Sequence, residues 1–85
     1  MQSVRGSNVL ITGAAMGLGK LFATNAVREG AATVILWDAN ENALSKTAEE
    51  LEAAGGNIRY EVVDVTSQDR VTDAAARVRM EVGVV

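Results

Sequence analysis

The eight residues Thr12-Gly13-Ala14-Ala15-Met16-Gly17-Leu18-Gly19 stand between an apolar run, Val9-Leu10-Ile11, and a stretch of helical periodicity that reaches Gly30. A strand, a glycine turn and a helix in that order narrow the possible folds more than anything else in the chain. One glycine lets the backbone turn sharply off the strand, one lets it approach a ligand, and one lets the helix pack close to the sheet. The helix that starts there offers unpaired N–H groups and a partial positive charge, which suits the pyrophosphate of a dinucleotide. Asp38 lies 19 residues past Gly19, at the end of a second apolar run, Val34-Ile35-Leu36-Trp37. A carboxylate at that spacing can accept hydrogen bonds from both hydroxyls of an adenosine ribose. A Walker phosphate loop does not fit. Position 14 is alanine where that motif needs its first glycine, and Lys20 is followed by Leu21 where a hydroxyl is needed for magnesium.

Three strand-then-helix units can be read along the chain. The first strand is expected over residues 8–12 and its helix over 17–29, with Leu18, Leu21, Phe22 and Ala26 as the apolar face and Gly30 as the stop. The second strand, 33–37, is an unbroken apolar and β-branched run of the kind covered on both faces in a parallel sheet. Asn40 caps a second helix with the stripe Leu44, Ala48 and Leu51, and Gly55-Gly56 ends it. A third strand over 58–63 carries Tyr60 and stops at Asp64. Thr66 or Ser67 then caps a third helix along Val71, Ala74 or Ala75, Val78 and Val82, with Gly83 at its end.

Short turns between alternating strands and helices imply a parallel sheet with right-handed crossovers. The expected architecture is therefore α/β: half of a doubly wound Rossmann fold, with a three-stranded parallel sheet in the order 3-2-1 and three helices. The whole chain, residues 1–85, reads as one N-terminal nucleotide-binding half-domain. The fourth strand of a complete domain would lie beside the first, and only Val84-Val85 follow the third helix.

Composition removes several classes of function. The chain has no cysteine and no histidine, so thiolate nucleophiles, disulfides and imidazole bases are absent, and no metal site is expected. A net charge of −3 gives no reason to expect nucleic acid or an anionic membrane as partner. No apolar run approaches the roughly 18 residues of a membrane span, and the first residues lack a signal-peptide core, so a cytoplasmic protein is expected.

The pattern Thr-Gly-x-x-x-Gly-x-Gly, with three residues between its first two glycines, resembles the cofactor motif of the short-chain dehydrogenase/reductase family. The resemblance extends through Asp38 to Asp64-Val65-Thr66 after the third strand. It implies that Gly13, Gly17 and Leu18 give backbone approach and N–H donors around ribose and pyrophosphate, and that Gly19 permits helix packing. Thr12 would tie the turn together through its hydroxyl, Met16 would lie beside the adenosine, and Asp64 and Val65 would frame the adenine. NADP carries a ribose phosphate that Asp38 would repel, and members that use it place a basic residue where this chain has Met16 or Ala39. NAD is therefore the expected cofactor, ahead of NADP.

The resemblance also defines what this sequence lacks. Family members carry an Asn-Ala-Gly segment, a serine, and a Tyr-x-x-x-Lys pair that holds the proton-transfer tyrosine. Tyr60 is followed four residues on by Asp64, not lysine, and reads as a half-buried strand aromatic. Lys20 and Lys46 read as solvated helix residues. No catalytic residue is assigned to this chain. The primary expectation is the NAD-binding portion of a short-chain oxidoreductase that moves hydride between nicotinamide and an alcohol or carbonyl, inactive at this length. The alternative is a stand-alone nucleotide-binding or self-assembling module. A methyltransferase half, with Asp38 on the ribose of S-adenosylmethionine, is disfavoured by Thr12 and the three-residue glycine gap. An uncovered first strand exposes unpaired N–H and C=O groups, so a homo-oligomer through that edge or through the thinly covered sheet face is expected.

Overall fold

The computed structural model describes residues 5–15 and 17–83. The elements are β1 (Asn8–Thr12), α1 (Gly17–Arg28), β2 (Thr33–Asp38), α2 (Glu41–Ala53), β3 (Ile58–Val62) and α3 (Gln68–Glu81). All strand pairs are parallel, with β2 between β1 and β3. This is the order expected from sequence, read from the other edge. Thr12 stands opposite Trp37, and Asp38 opposite Val62, so the strands deliver their carboxyl ends to one side of the molecule.

Alternation along the strands divides the core in two. Val34 and Leu36 of β2 face α1 and α2, where they join Ile11, Ala23, Ala26, Leu44, Ala48 and Leu51. Ile35 and Trp37 face the other way and pack with Val63, Ala74 and Val78 beneath α3. The first five residues of β2 are buried, as a central parallel strand covered on both faces requires. Large side chains carry much of this burial: Ile35, Leu36, Leu44 and Val34 are enclosed almost completely. Truncating such a residue to alanine costs about 2–5 kcal/mol.

The helix ends follow the capping chemistry. Asn40 adopts an extended conformation and its side chain accepts from the Ala43 N–H at 3.1 Å, while Ser67 does the same for Arg70 at the start of α3. The buried stripe of α2 is the expected one, with Thr47 added to it. On α3 the structure selects Ala74 and leaves Ala75 exposed.

α1 departs from expectation. Its buried residues are Ala23 and Ala26, whereas Leu18, Leu21 and Phe22 are 64%, 53% and 54% exposed. The reason is steric. At Gly19 the helix rides so close to the turn that a Cβ there would overlap the Gly13 carbonyl and lie 2.7 Å from its carbon. A helix held at that distance can put only small residues against the sheet, so its large apolar residues turn outward. Phe22 lines an open groove of about 820 Å³ with Val9 and Ile11 of β1 and Asn25, Ala26, Arg28 and Glu29 of α1.

The two edges of the sheet differ in character. On β3, Arg59 and Glu61 alternate with Tyr60 and Val62, and Glu61 pairs with Arg77 of α3. Charges of this kind discourage a further strand from adding to an edge. β1 has the sequence Asn-Val-Leu-Ile-Thr and carries no charge.

Candidate functional site

The glycine turn, the end of β2 and the segment after β3 meet at the carboxyl side of the sheet. In open α/β sheets that side holds the ligand crevice. The turn begins where Thr12, exposed at the end of β1, passes into Gly13 with φ +62°, and it enters α1 through Gly17 with φ +61°. Both conformations are strained for any residue with a side chain. No atom lies within 4 Å of the place a Cβ would occupy at either position, so the turn's backbone faces open space. The first turn of α1 carries no acidic residue, and nothing on its own sequence offsets the positive end of the helix dipole.

What holds so permissive a turn in place is a set of contacts from β2 and α2. The Ala14 N–H donates to the Trp37 carbonyl at 3.2 Å. The Ala15 N–H donates to Oδ2 of Asp38 at 3.0 Å, and the Asn40 N–H donates to Oδ1 of the same carboxylate at 3.0 Å. The Thr47 hydroxyl, reaching down from α2, donates to the Ala15 carbonyl at 3.1 Å. Asp38 is thus a half-buried carboxylate with both oxygens fixed by backbone amides, directly beside the glycine turn.

Beyond β3, the Val63 N–H donates to the Asp38 carbonyl at 3.0 Å and brings the next residues alongside the end of β2. Asp64 then folds back on its own loop. Its Oδ1 accepts from the Thr66 hydroxyl at 2.6 Å and from the Thr66 N–H at 2.9 Å. These bonds, the hydroxyl's first, stabilise the carboxylate and hold Asp64 below the usual carboxyl range. Val65 is exposed beside it, as is Leu18 at the start of α1.

The structure therefore brings Thr12, Gly13, Gly17, Leu18, Gly19, Asp38, Asp64 and Val65 to one side of the sheet. Met16 lies outside the described residues. Lys20 points away from the turn to pair with Glu50 of α2 at 2.8 Å, and it keeps the Glu50 carboxyl below its ordinary value. Tyr60 sits on β3, within Ile58–Val62, and is 47% exposed. Among the described residues no group of acidic side chains is arranged to hold a metal ion, and no helix is long and apolar enough to cross a membrane.

Two members of this arrangement escaped the sequence reading. Ala15 does its work through backbone atoms, which a motif of glycines does not mark. Thr47 left a fainter signal: a hydroxyl in the buried stripe between Leu44, Ala48 and Leu51 needs an acceptor, but sequence alone does not distinguish the carbonyl four residues back on its own helix from one across the core.

Comparison with known proteins places this geometry in a family. The chain matches the short chain dehydrogenase family over residues 7–85. It is 37% identical over 76 residues to human short-chain dehydrogenase/reductase 3, covering 89% of this chain and 25% of that protein. Mouse estradiol 17-beta-dehydrogenase 11 is 37% identical over 82 residues, covering 96% and 27%. The chain thus spans about a quarter of the length of these relatives. Its fold superposes with TM-score 0.93 on the crystal structure of a short-chain dehydrogenase/reductase from Burkholderia phymatum in complex with NAD, at 32% identity, covering 100% of this chain and 30% of that one. The family match over residues 7–85, together with a superposing parallel half-sheet, shows that the chain belongs to the short-chain dehydrogenase family.

Proposed function

We propose that residues 1–85 form the N-terminal nucleotide-binding half of an NAD-dependent short-chain oxidoreductase, one that transfers hydride between nicotinamide and an alcohol or carbonyl substrate. The observation that carries this reading is the Asp38 carboxylate, oriented by the amides of Ala15 and Asn40 at 3.0 Å each, beside a turn whose backbone is open at Gly13 and Gly17. Each carboxylate oxygen has two lone-pair directions, so the amide bonds leave acceptor capacity for ribose hydroxyls. Gly13, Gly17 and Leu18 supply backbone around the ribose and pyrophosphate, and Thr12 lies at the mouth of the turn. Asp64 and Val65 border the adenine. When bound, NAD supplies the hydride acceptor.

Charge decides between the two nicotinamide cofactors. An NADP phosphate would meet the Asp38 carboxylate, with Ala39 next to it in sequence, so NAD is preferred. Proton transfer needs a Tyr-x-x-x-Lys pair, which the sequence does not contain, and the chain alone is inactive as a dehydrogenase. We assign it to the cytoplasm, with no nucleic acid or membrane partner.

One observation favours a self-assembling module as the second reading. The β1 edge carries no charge, Val9, Ile11, Phe22 and Ala26 give the groove beside it an apolar part next to Asn25, Arg28 and Glu29, and Leu21 and Phe22 are exposed, whereas the β3 edge is charged. Apolar surface beside an unpaired strand is suited to burial against another copy. A homo-oligomer through β1 is compatible with either reading.

The decisive experiment is calorimetric titration of the chain with NAD and with NADP, repeated on Asp38→Ala. Saturable NAD binding, stronger than NADP binding and at least about tenfold weaker in the variant, supports the assignment, since it corresponds to one or two hydrogen bonds to a charged group. Absence of saturable NAD binding refutes it for this chain.

A further inference from the structure

We propose that Thr47 is a positioning residue of the cofactor site, holding the glycine turn in its phosphate-facing shape from the far side. This rests on the assignment of the turn to a dinucleotide. Gly13 and Gly17 both have positive φ and no neighbour within 4 Å of their absent Cβ atoms. A turn with such hinges has many alternatives, so its path must be set from outside. Ala15, between them, is gripped on both sides: its N–H by Oδ2 of Asp38 at 3.0 Å, and its carbonyl by the Thr47 hydroxyl at 3.1 Å. Because the peptide is planar, fixing the carbonyl also fixes the plane of the peptide that leads from Ala15 toward α1.

The placement of Thr47 argues that its hydroxyl serves this purpose. The residue is 1% exposed on the packed face of α2, between Leu44 at 0% and Ala48 at 1%. Valine would present nearly the same shape there without bringing a polar group into the core, and an unpaired hydroxyl in such a place is costly. Thr24 and Thr72 instead bond the carbonyls of Lys20 and Gln68, each four residues back on its own helix, at 2.9 Å. Thr47 reaches 32 residues back in the chain, and the atom it reaches belongs to the turn. The helix α2 therefore acts on the site without touching the ligand.

The test compares the wild-type chain with Thr47→Val, Thr47→Ser and, as a control, Thr72→Val. Calorimetry measures ADP and adenosine binding, and NMR measures exchange of the Ala15 amide without ligand. Loss of one hydrogen bond in Thr47→Val is expected to weaken ADP binding about fivefold to tenfold. Adenosine, which lacks the phosphates, is expected to stay within about twofold, and Ala15 exchange to quicken, since the amide loses a fixed partner geometry. Thr47→Ser restores ADP binding, and Thr72→Val leaves both ligands and Ala15 unchanged. Equal losses for ADP and adenosine in Thr47→Val, with no rescue by serine, would reduce Thr47 to general packing and overturn the proposal. Wild-type affinity for ADP in Thr47→Val, with Ala15 exchange unaltered, overturns it as well. A wild-type chain that binds neither ADP nor NAD defeats the underlying cofactor assignment, leaving Thr47 nothing to position, and that result is read before any variant is made.

Discussion

Replacing Gly19 by alanine sets two physical rules against each other. Gly19 is the third residue of α1 and is not among the residues with positive φ, so backbone conformation poses no obstacle to alanine. On helix propensity alone the change stabilises by about 1 kcal/mol. Packing has the opposite sign. The added Cβ would overlap the Gly13 carbonyl oxygen, lie 2.7 Å from the carbonyl carbon and stand 3.2 Å from the Ala14 Cα. All three are backbone atoms of the turn, and the turn is anchored to Trp37, Asp38 and Thr47. The obstruction cannot rotate aside as a side chain would.

Relief requires either the helix to lift from the turn or the turn to leave its anchors. Lifting α1 opens space around Ala23 and Ala26, and moving the turn breaks buried hydrogen bonds. Overpacking of this kind costs about 1–3 kcal/mol, and loss of turn bonds adds about 1 kcal/mol each, so the net after the propensity gain is a destabilisation of about 1–3 kcal/mol. For a chain of this size that is a fall in melting temperature of roughly 5–20 °C. Thermal unfolding followed by circular dichroism reads it directly, with Ser45→Ala on α2 as a propensity-only control. A Gly19→Ala chain that melts at or above the wild-type temperature would show that helix and turn are not in contact as described, and the explanation for the small buried face of α1 would fall with it.

Other expectations are simpler. Ala39→Arg is expected to raise NADP affinity relative to NAD by about tenfold, by supplying a charge for the ribose phosphate; competition titration with both cofactors reads the ratio, and an unchanged ratio refutes the charge argument. Thr66→Val removes the hydroxyl that lowers the Asp64 pKa, and the Asp64 carboxyl should then titrate closer to the ordinary aspartate range in an NMR pH series. Because the folded pKa is depressed, the contribution of Asp64 to stability is present above the ordinary aspartate pKa and is lost as pH falls through the lower folded value, less so in the Thr66 variant. Leu44→Ala is expected to cost about 2–5 kcal/mol in denaturant unfolding. Phe22→Ser combined with Leu21→Ser should shift light-scattering mass toward the monomer, and an identical mass in both chains would remove β1 and α1 as the assembly surface.

Much of the fold could be read from the chain because its signals were of the local kind. Asn40 and Ser67 declare helix starts, Val34 to Trp37 declares a central strand, and the glycines mark the turn. The face of α1 was misread because amphipathic periodicity ranks residues by apolar bulk. Burial there is decided by distance of approach, which the Gly19 contact sets. Leu18, Leu21 and Phe22 are the more hydrophobic residues and Ala23 and Ala26 the ones that fit. The same glycine that suggested a close helix in the sequence was thus also the reason to expect a small-residue face, a consequence that follows only once the separation is known.

The candidate site was legible as a set of residue types but not as a network. Asp38 reads in sequence as an acceptor for ribose hydroxyls, whereas in the fold it is also the acceptor for the Ala15 and Asn40 amides. On the proposed reading, removing its side chain takes away a ligand contact and also loosens the turn, so Asp38→Ala combines the two effects. Thr47 provides the separation, since it holds the same residue, Ala15, from the opposite side and is buried on α2. If turn geometry accounts for most of the binding energy, Thr47→Val and Asp38→Ala should weaken NAD by comparable factors. If direct acceptance by the carboxylate dominates, Asp38→Ala should be the more damaging by about tenfold, as expected of hydrogen bonds to a charged acceptor against a neutral one.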